Sequence, residues 1–188
     1  MSTNRNNLEK MPDAAIPSKA EVTRLFKKLG LPHNIISHVQ AVARKAIKMS
    51  HIIKIVPVNL KIVKIGALLH DIGRTKSHNF DHSELGGEII RNLGFSEKLA
   101  RIAETHILGG LTKEEAIELG LTPKDYMPRS IEEKIVCLAD KYHIGTKKVS
   151  IEKRFQKWFD RYGETELLLK SKKRVEDIEI EIFKLMHP

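Results

Sequence analysis

Apolar residues recur every three or four positions along most of the chain, which is the spacing that places them on one face of an α-helix. Ser18 and Glu21 form a capping-box sequence at the start of the first such stripe, and Gly30 ends it. The same reasoning predicts further helices at residues 32–49, 58–69, 81–94, 96–107, 112–119, 130–140, 151–162 and 165–186. The chain is therefore predicted to be almost entirely helical.

One segment departs from the helical spacing. Residues 52–57 are rich in β-branched side chains, but no partner strand is visible elsewhere, so a helix end and a connection are the better interpretation. The predicted fold class is all-α, with a single domain at residues 18–146. Residues 1–17 are expected to form a flexible tail. Residues 147–188 are expected to form amphipathic helices that pack on the domain, and a homodimer through them remains open.

Cysteine content and apolar run length indicate the cellular setting. The single cysteine, Cys137, excludes an internal disulfide and a cysteine-based zinc site, and its apolar neighbours favour a buried structural thiol. No apolar run approaches the length of a membrane span, and residues 1–7 lack the apolar core of a signal peptide. These features predict a cytoplasmic protein without a membrane partner.

The chain is strongly basic. Its 188 residues carry 33 lysines and arginines against 24 acidic residues, which gives a formal net charge of +9. This excess predicts an anionic partner. Aromatic residues make up only 5% of the chain and do not alternate with basic residues as in a base-stacking surface. A small phosphorylated substrate, such as a nucleotide, is therefore favoured over a nucleic acid.

The central apolar helix runs directly into the doublet His70-Asp71, which is followed by Gly73 and Arg74. Burying an imidazole and a carboxylate is costly unless each finds a partner, and a divalent metal ion is a partner for both. We expect Gly73 to let the chain turn out of the helix. Arg74 would then lie at the rim, with a geometry suited to phosphate. The alternatives are a solvated helix end and, for Arg74, an ordinary surface charge.

Four more polar residues follow the same pattern. His38 and Asp140 lie beside apolar residues of their helices, and His82 and His106 come from the helices between them. The alternative for the first two is a hydrogen bond between core helices, and for the second two an ordinary position near a helix end. Together with the doublet they provide six potential metal ligands, which is more than one ion requires. They therefore suggest two metals that share a bridging carboxylate.

His38, the doublet and Asp140 stand in the order of the H…HD…D signature, and residues 70–73 read His-Asp-Ile-Gly. The chain thus resembles the HD-domain metal-dependent phosphohydrolases, and within them the subset with the HDIG sequence. His82 and His106 fall where the binuclear branch of this family has its extra histidines. The resemblance covers about residues 31–143, and the closest likeness is to small archaeal-type HD proteins.

The resemblance implies an HD-type helical bundle at residues 18–146 and a metal-activated water that attacks phosphorus. It implies divalent ions, two in number, chosen from Fe, Mn, Co, Ni, Zn and Mg. The implied metal ligands are His38, His70, Asp71 and Asp140 for one ion, and Asp71, His82 and His106 for the other. Asp71 would also orient the water, and the implied substrate-binding residues are Arg74, Lys141, Lys76 and His78.

Two other functions remain open at this point. Some HD-fold proteins with the same ligand set use a mixed-valent di-iron centre to oxidise organic substrates with oxygen. A non-catalytic HD domain that binds a nucleotide or RNA is the third interpretation. The residues of the sequence do not discriminate between these functions.

Overall fold

Helices dominate residues 15–187, which are the residues that the computed structural model describes. This part of the chain contains the α-helices α1 (Lys19–Leu29), α2 (His33–Ile52), α3 (Leu60–Leu69), α4 (His82–Asn92), α5 (Glu97–Thr105), α6 (Lys113–Glu118), α7 (Ile131–Lys141), α8 (Ile151–Tyr162) and α9 (Glu166–Met186). Two 3₁₀ turns lie at Ile72–Thr75 and Ile107–Gly109. The predicted all-α fold is confirmed.

Side-chain caps set several of the helix starts. The capping boxes at Ser18 and Thr112 are present, with the side chain and the backbone of each cap bonded to the glutamate three residues later. The Asn59 side chain accepts hydrogen bonds from the backbone amides of Lys61 and Ile62. Helix α3 therefore starts at Leu60 and not at the predicted residue 58. The caps therefore explain why α1 and α6 start where the sequence predicts and why α3 starts two residues later than predicted.

The central helix α3 is apolar on nearly every side because it is surrounded. It packs against α2, α5 and α7, and Val63, Ala67 and Leu69 are completely buried. Since the helix ends inside the molecule, the residues that follow it are buried as well. His70, Asp71 and the first 3₁₀ turn therefore enter the structure at its centre.

Gly73 has a different role from the one predicted. The helix ends at Leu69, and Gly73 lies inside the first 3₁₀ turn with a negative φ, so it is not a left-handed helix stop. A Cβ atom there would lie 1.9 Å from the backbone oxygen of His82. The glycine is needed because α4 approaches the turn closely. Gly87 allows a second close approach, since a Cβ atom there would lie 2.6 Å from Glu104.

The C-terminal part begins with a small antiparallel ribbon, β1 (His143–Ile144) and β2 (Lys147–Lys148). The ribbon was not predicted, because strands of two residues are too short to show an alternating pattern. Side chains of α8 and α9, including Phe155 and Val175, belong to the same apolar core as α3. Most of the predicted tail, residues 1–17, lies outside the described residues. Among residues 15–187, no helix has both the length and the apolar character to cross a membrane.

Candidate metal centre

Five helices bring the six predicted ligands to one place. His38 lies on α2, the doublet follows α3, His82 is the first residue of α4, and the remaining two lie at the ends of α5 and α7. All six side chains are buried or nearly so, and each belongs to a residue less than 9% exposed. The six residues are His38, His70, Asp71, His82, His106 and Asp140.

The four imidazoles are oriented in the same way by the backbone. The Nδ1–H group of each ring donates to a main-chain carbonyl oxygen, so Nε2 is the ring atom that is left to bind a cation. The accepting carbonyls and their distances are Gly145 for His38 at 2.8 Å, Ala67 for His70 at 2.8 Å, Ala103 for His106 at 2.7 Å, and Asn79 for His82. Three of the four acceptors are local, three residues before their histidine.

The Nε2 atoms form two groups on either side of Asp71. Asp71 Oδ2 lies 3.7 Å from both His38 Nε2 and His70 Nε2. Asp71 Oδ1 lies 3.2 Å from His82 Nε2 and 3.4 Å from His106 Nε2. Within each group the potential ligand atoms lie within 4.8 Å of one another. One carboxylate is therefore shared by two sets of imidazoles.

Asp140 completes the first group. Its Oδ1 atom lies 3.0 Å from His38 Nε2 and 3.8 Å from His70 Nε2. Its Oδ2 atom accepts a 2.6 Å hydrogen bond from Lys141, whose ammonium also donates to the backbone oxygen of His106 at 2.7 Å. Lys141 therefore holds Asp140 in place and ties the end of α7 to the end of α5.

The protonation states suit metal binding. Burial lowers the pKa of His70 and lowers that of His106 to about 3, so both rings are neutral. Burial alone would raise the pKa of Asp71 and Asp140, but the neighbouring histidines and Lys141 hold it well below the ordinary value. Burial by itself lowers the pKa of His38, and its hydrogen bond and charge interaction with Asp140 raise it overall. A divalent ion would take the place of the His38 proton.

One atom provides a direct test of whether a metal fits. His70 Nε2 is buried and has no hydrogen-bond partner. An unpaired buried nitrogen is costly, and a convergent set of imidazoles and carboxylates is a ligand set that suits Zn, Mn and Fe. The residues present therefore fit a divalent ion, and the shared position of Asp71 fits two.

The predicted phosphate-binding residues differ in their positions. Arg74 lines the cavity above the centre, and it donates to Asp71 Oδ1 at 3.1 Å and to the backbone oxygen of His78 at 3.1 Å. Lys141 and His78 also line this cavity. Lys76 is exposed and does not line it. Three of the four predicted residues therefore surround the ligands.

The cavity has a volume of about 660 Å³, and one wall was not predicted. Arg154, Trp158, Arg161 and Tyr162 of α8 contribute this wall. The sequence carries a signal for it, since these positions follow the i, i+4, i+7, i+8 spacing of one helix face. The signal is hidden because one of these residues, Trp158, also packs against the apolar core.

Comparisons with known proteins agree with this fold. The HD domain family matches residues 35–145. An uncharacterized protein of Methanocaldococcus jannaschii is 50% identical over 132 residues, which is 69% of this chain and 78% of the relative. A tRNA (cytidine(56)-2'-O)-methyltransferase of Picrophilus torridus is 43% identical over 125 residues, which is 66% of this chain and only 36% of the relative.

A solved structure shows the same fold. The HD domain of the L. monocytogenes phosphodiesterase PgpH, in complex with cyclic-di-AMP, superposes with a TM-score of 0.54 and 17% sequence identity. The match covers 88% of this chain and 96% of that domain. The expected resemblance is confirmed by the family match and by the fold. The chain belongs to the HD domain family.

Proposed function

We propose that this protein is a metal-dependent phosphohydrolase that acts on phosphate esters of nucleotides. The observation that supports this function is the position of Asp71, whose two oxygens face separate groups of imidazole nitrogens. Two ligand groups that share a carboxylate resemble the two-metal sites of phosphoryl-transfer enzymes. Divalent ions bound there would supply a water of lowered pKa as nucleophile and would neutralise charge on the phosphoryl oxygens.

The ligand sets follow from the two groups. One ion would be held by His38, His70, Asp71 and Asp140, and the other by Asp71, His82 and His106. Asp71 also orients the attacking water, because an ionised carboxylate at the centre of the site is a hydrogen-bond acceptor for it. Lys141 keeps Asp140 Oδ1 directed at His38 by binding the other oxygen of that carboxylate.

Cations around the ligands would bind the substrate. Arg74 is one quarter exposed, and its contact with Asp71 orients the guanidinium at the edge of the cavity. Its remaining N–H groups are suited to the phosphoryl oxygens that do not leave. His78 lies at the same edge. We therefore expect Arg74→Ala to lower turnover while the metal remains bound.

Metal content tests the two-ion arrangement. Protein purified without chelator should contain two divalent ions per chain by elemental analysis. Asp71→Ala should lose both, because Asp71 lies in both ligand groups, and His82→Ala should lose one. His51→Ala changes an exposed histidine of α2 and serves as the control, with two ions retained. One ion per chain in both the wild type and His82→Ala would leave only one metal site, and two ions in both would remove His82 from the ligands.

Turnover tests the reaction itself. The substrates are p-nitrophenyl phosphate, its bis ester, nucleotides and dinucleotides, each with Mn, Fe, Co, Ni, Zn or Mg. We expect metal-dependent hydrolysis of at least one of these phosphate esters, with release of its alcohol or phenol, and we expect it to be abolished in Asp71→Ala. No metal-dependent hydrolysis of any compound by the metal-loaded protein would contradict the proposed function.

A second candidate substrate is RNA. It is favoured by the name of the Picrophilus relative, a tRNA methyltransferase that contains a segment similar to this chain. The net charge of +9 is also compatible with a polyanion. Incubation of the metal-loaded protein with tRNA and a short oligoribonucleotide, followed by gel analysis, tests this candidate. Cleavage that is absent in Asp71→Ala would support RNA as substrate.

A further inference from the structure

Helix α8 presents two different faces to the molecule. Ile151 and Phe155 are buried in the apolar core. The face toward the cavity carries Arg154, Trp158, Arg161 and Tyr162. This helix lies beyond residues 35–145, the part that matches the HD domain family. The cavity wall that it forms therefore comes from residues outside the segment that matches the family.

The wall makes the cavity strongly cationic. Four cationic side chains line it, those of Arg74, Lys141, Arg154 and Arg161, and the carboxylates among its lining residues are those of Asp71 and Asp140. The cations therefore outnumber the carboxylates even before any metal charge is counted. Such a cavity suits a ligand that carries several negative charges.

The two arginines of α8 differ in position. Arg154 lies close enough to Asp140 to lower the pKa of that carboxyl, and its guanidinium donates to the backbone oxygen of His143 at 2.9 Å. Its Nε atom is buried and has no hydrogen-bond partner. Arg161 is exposed and lies seven residues, roughly 10 Å, farther along the helix. Arg161 is therefore suited to a second anionic group, away from the metal centre.

Aromatic rings lie between and beside these cations. Trp158 has the Arg154 guanidinium 4.6 Å from its ring centre, and Tyr162 has that of Arg161 at 5.1 Å. Tyr162 is 49% exposed, and Phe80 on the other side of the cavity is 37% exposed. Exposed rings next to arginines form a surface on which a nucleobase can stack.

We propose that α8 is the substrate-recognition wall of this site, and that it selects a nucleotide with at least two phosphate groups. This inference rests on the proposed function. Arg74 and Arg154 face the phosphate that is hydrolysed, Arg161 binds a second phosphate, and the base lies against Trp158 and Tyr162. The cavity volume of about 660 Å³ is within the usual range for small ligands.

The composition of the chain allows a direct binding test. Trp158 is the only tryptophan in the sequence, so the intrinsic tryptophan fluorescence reports on this wall alone. The protein, loaded with Zn²⁺ or Mg²⁺, is titrated with the methylene analogue of adenosine diphosphate and with a 5'-phosphorylated, phosphorothioate-linked dinucleotide. These two probes distinguish adjacent phosphates from phosphates one nucleotide apart. Pyrophosphate is the probe without a base.

We expect at least one of the nucleotide probes to change the fluorescence and to bind at least about tenfold more tightly than pyrophosphate. Arg161→Gln should weaken binding of that probe about tenfold, because a charge-assisted hydrogen bond is lost. Lys157→Gln removes the same charge from an exposed position of α8 that does not line the cavity, and it should change binding less than about twofold.

The outcomes separate this inference from the proposed function. Nucleotide binding that depends on Arg161 supports the role of α8, even where no hydrolysis is found. Equal binding by the wild type and Arg161→Gln, equal binding of pyrophosphate and nucleotide, or no fluorescence change with either nucleotide overturns it. Hydrolysis measured in parallel decides the proposed function independently.

Discussion

Two buried acidic clusters lie close together in this molecule, and they are built on opposite principles. In the metal centre, Asp71 faces the Nε2 atoms of four histidines, and the nearby His70 Nε2 has no partner. Glu104, only two residues before His106, is just as buried. Its carboxylate accepts two hydrogen bonds from Arg91, at 2.6 and 3.0 Å, and one of 2.7 Å from Lys124.

The difference lies in what neutralises each carboxylate. Glu104 is satisfied by permanent cations of the chain itself, so it needs no ligand and its position is structural. Asp71 has one permanent cation beside it, Arg74 at 3.1 Å from Oδ1, and otherwise faces the Nε2 atoms of imidazoles. The rings of His70 and His106 are neutral, so they provide lone pairs and no permanent charge. A buried acid marks a binding site when the groups around it are electron donors that also lack a partner. Burial alone does not distinguish the two clusters.

The largest expected effect comes from breaking the structural cluster. Glu104→Gln takes the carboxylate partner from Lys124 and leaves Arg91 paired with Glu97 alone. Because both cations are about one third exposed, the free energy of unfolding should fall by roughly 3 kcal/mol, the low end for breaking a buried ion pair. Urea denaturation monitored by circular dichroism measures this change. Glu97→Gln is the matched control, because Glu97 binds the same Arg91 from an exposed position. It should cost at most about 1 kcal/mol.

Glu104→Gln should also retain the metal content of the wild type, since Glu104 belongs to neither ligand group. Loss of metal from a folded Glu104→Gln protein would mean that the two clusters are not independent. The comparison between them would then no longer hold.

The second largest effect is expected at Gly73, where the turn after the His70-Asp71 doublet lies against the backbone of His82. In Gly73→Ala the new methyl group would meet the backbone oxygen of His82, so α4 must move. We expect a loss of about 1–3 kcal/mol of stability and a loss of the ion held by His82 and His106. Gly86→Ala is the control, because its nearest neighbours lie at 3.4 Å. Denaturation and elemental analysis measure both effects, and retention of two ions in Gly73→Ala would contradict the explanation.

Much of this structure could be predicted from the sequence because its signals are local. The helical periodicity and the capping boxes predicted α1 and α8 with their observed ends, and a buried doublet after an apolar helix pointed to the metal centre. The missing information is long-range. Gly73 appeared to be a helix stop because its contact with His82 forms only when α4 folds back.

The partners of the charged residues around Glu104 and around the metal centre could not be predicted either, because they are also set by long-range contacts. Glu104 and Arg91 are thirteen residues apart, and Glu104 and Lys124 are twenty apart, with no spacing that pairs them in advance. The cavity face of α8 follows a helical spacing, yet only the folding of α8 back against α9 and the core decides that Arg154 lies near Asp140. Side-chain types were predictable in these places, and their partners were not.

A smaller effect is expected from the lysine that supports the metal centre. Lys141→Met keeps most of the side-chain volume but removes the hydrogen bonds to Asp140 and to the backbone of His106. Because such supporting contacts orient a ligand, metal affinity should fall about 10- to 100-fold. Competition with a chromogenic chelator measures the affinity. Lys134→Met, on the same helix but paired with Glu181, should leave it unchanged.

The smallest expected effect is the pH dependence of the structural cluster. Burial alone would raise the pKa of Glu104, but its hydrogen bonds to Arg91 and Lys124 lower it below the ordinary value. Its stabilising contribution is therefore fully present above the unfolded-state pKa of about 4.3 and is lost as the pH falls through the lower folded-state pKa. The unfolded chain binds more protons in this interval, so acid favours unfolding.

The measurement is the difference in unfolding free energy between wild type and Glu104→Gln, taken at intervals from pH 7 to pH 3. Both proteins contain the same metal centre, so its titration cancels in the difference. The difference should be constant near neutrality and should shrink below about pH 4.3, where Glu104 starts to lose the advantage of its charge. A difference that stays constant down to pH 3 would mean that the charge of Glu104 is not what stabilises this cluster, and the contrast with Asp71 would then be one of packing alone.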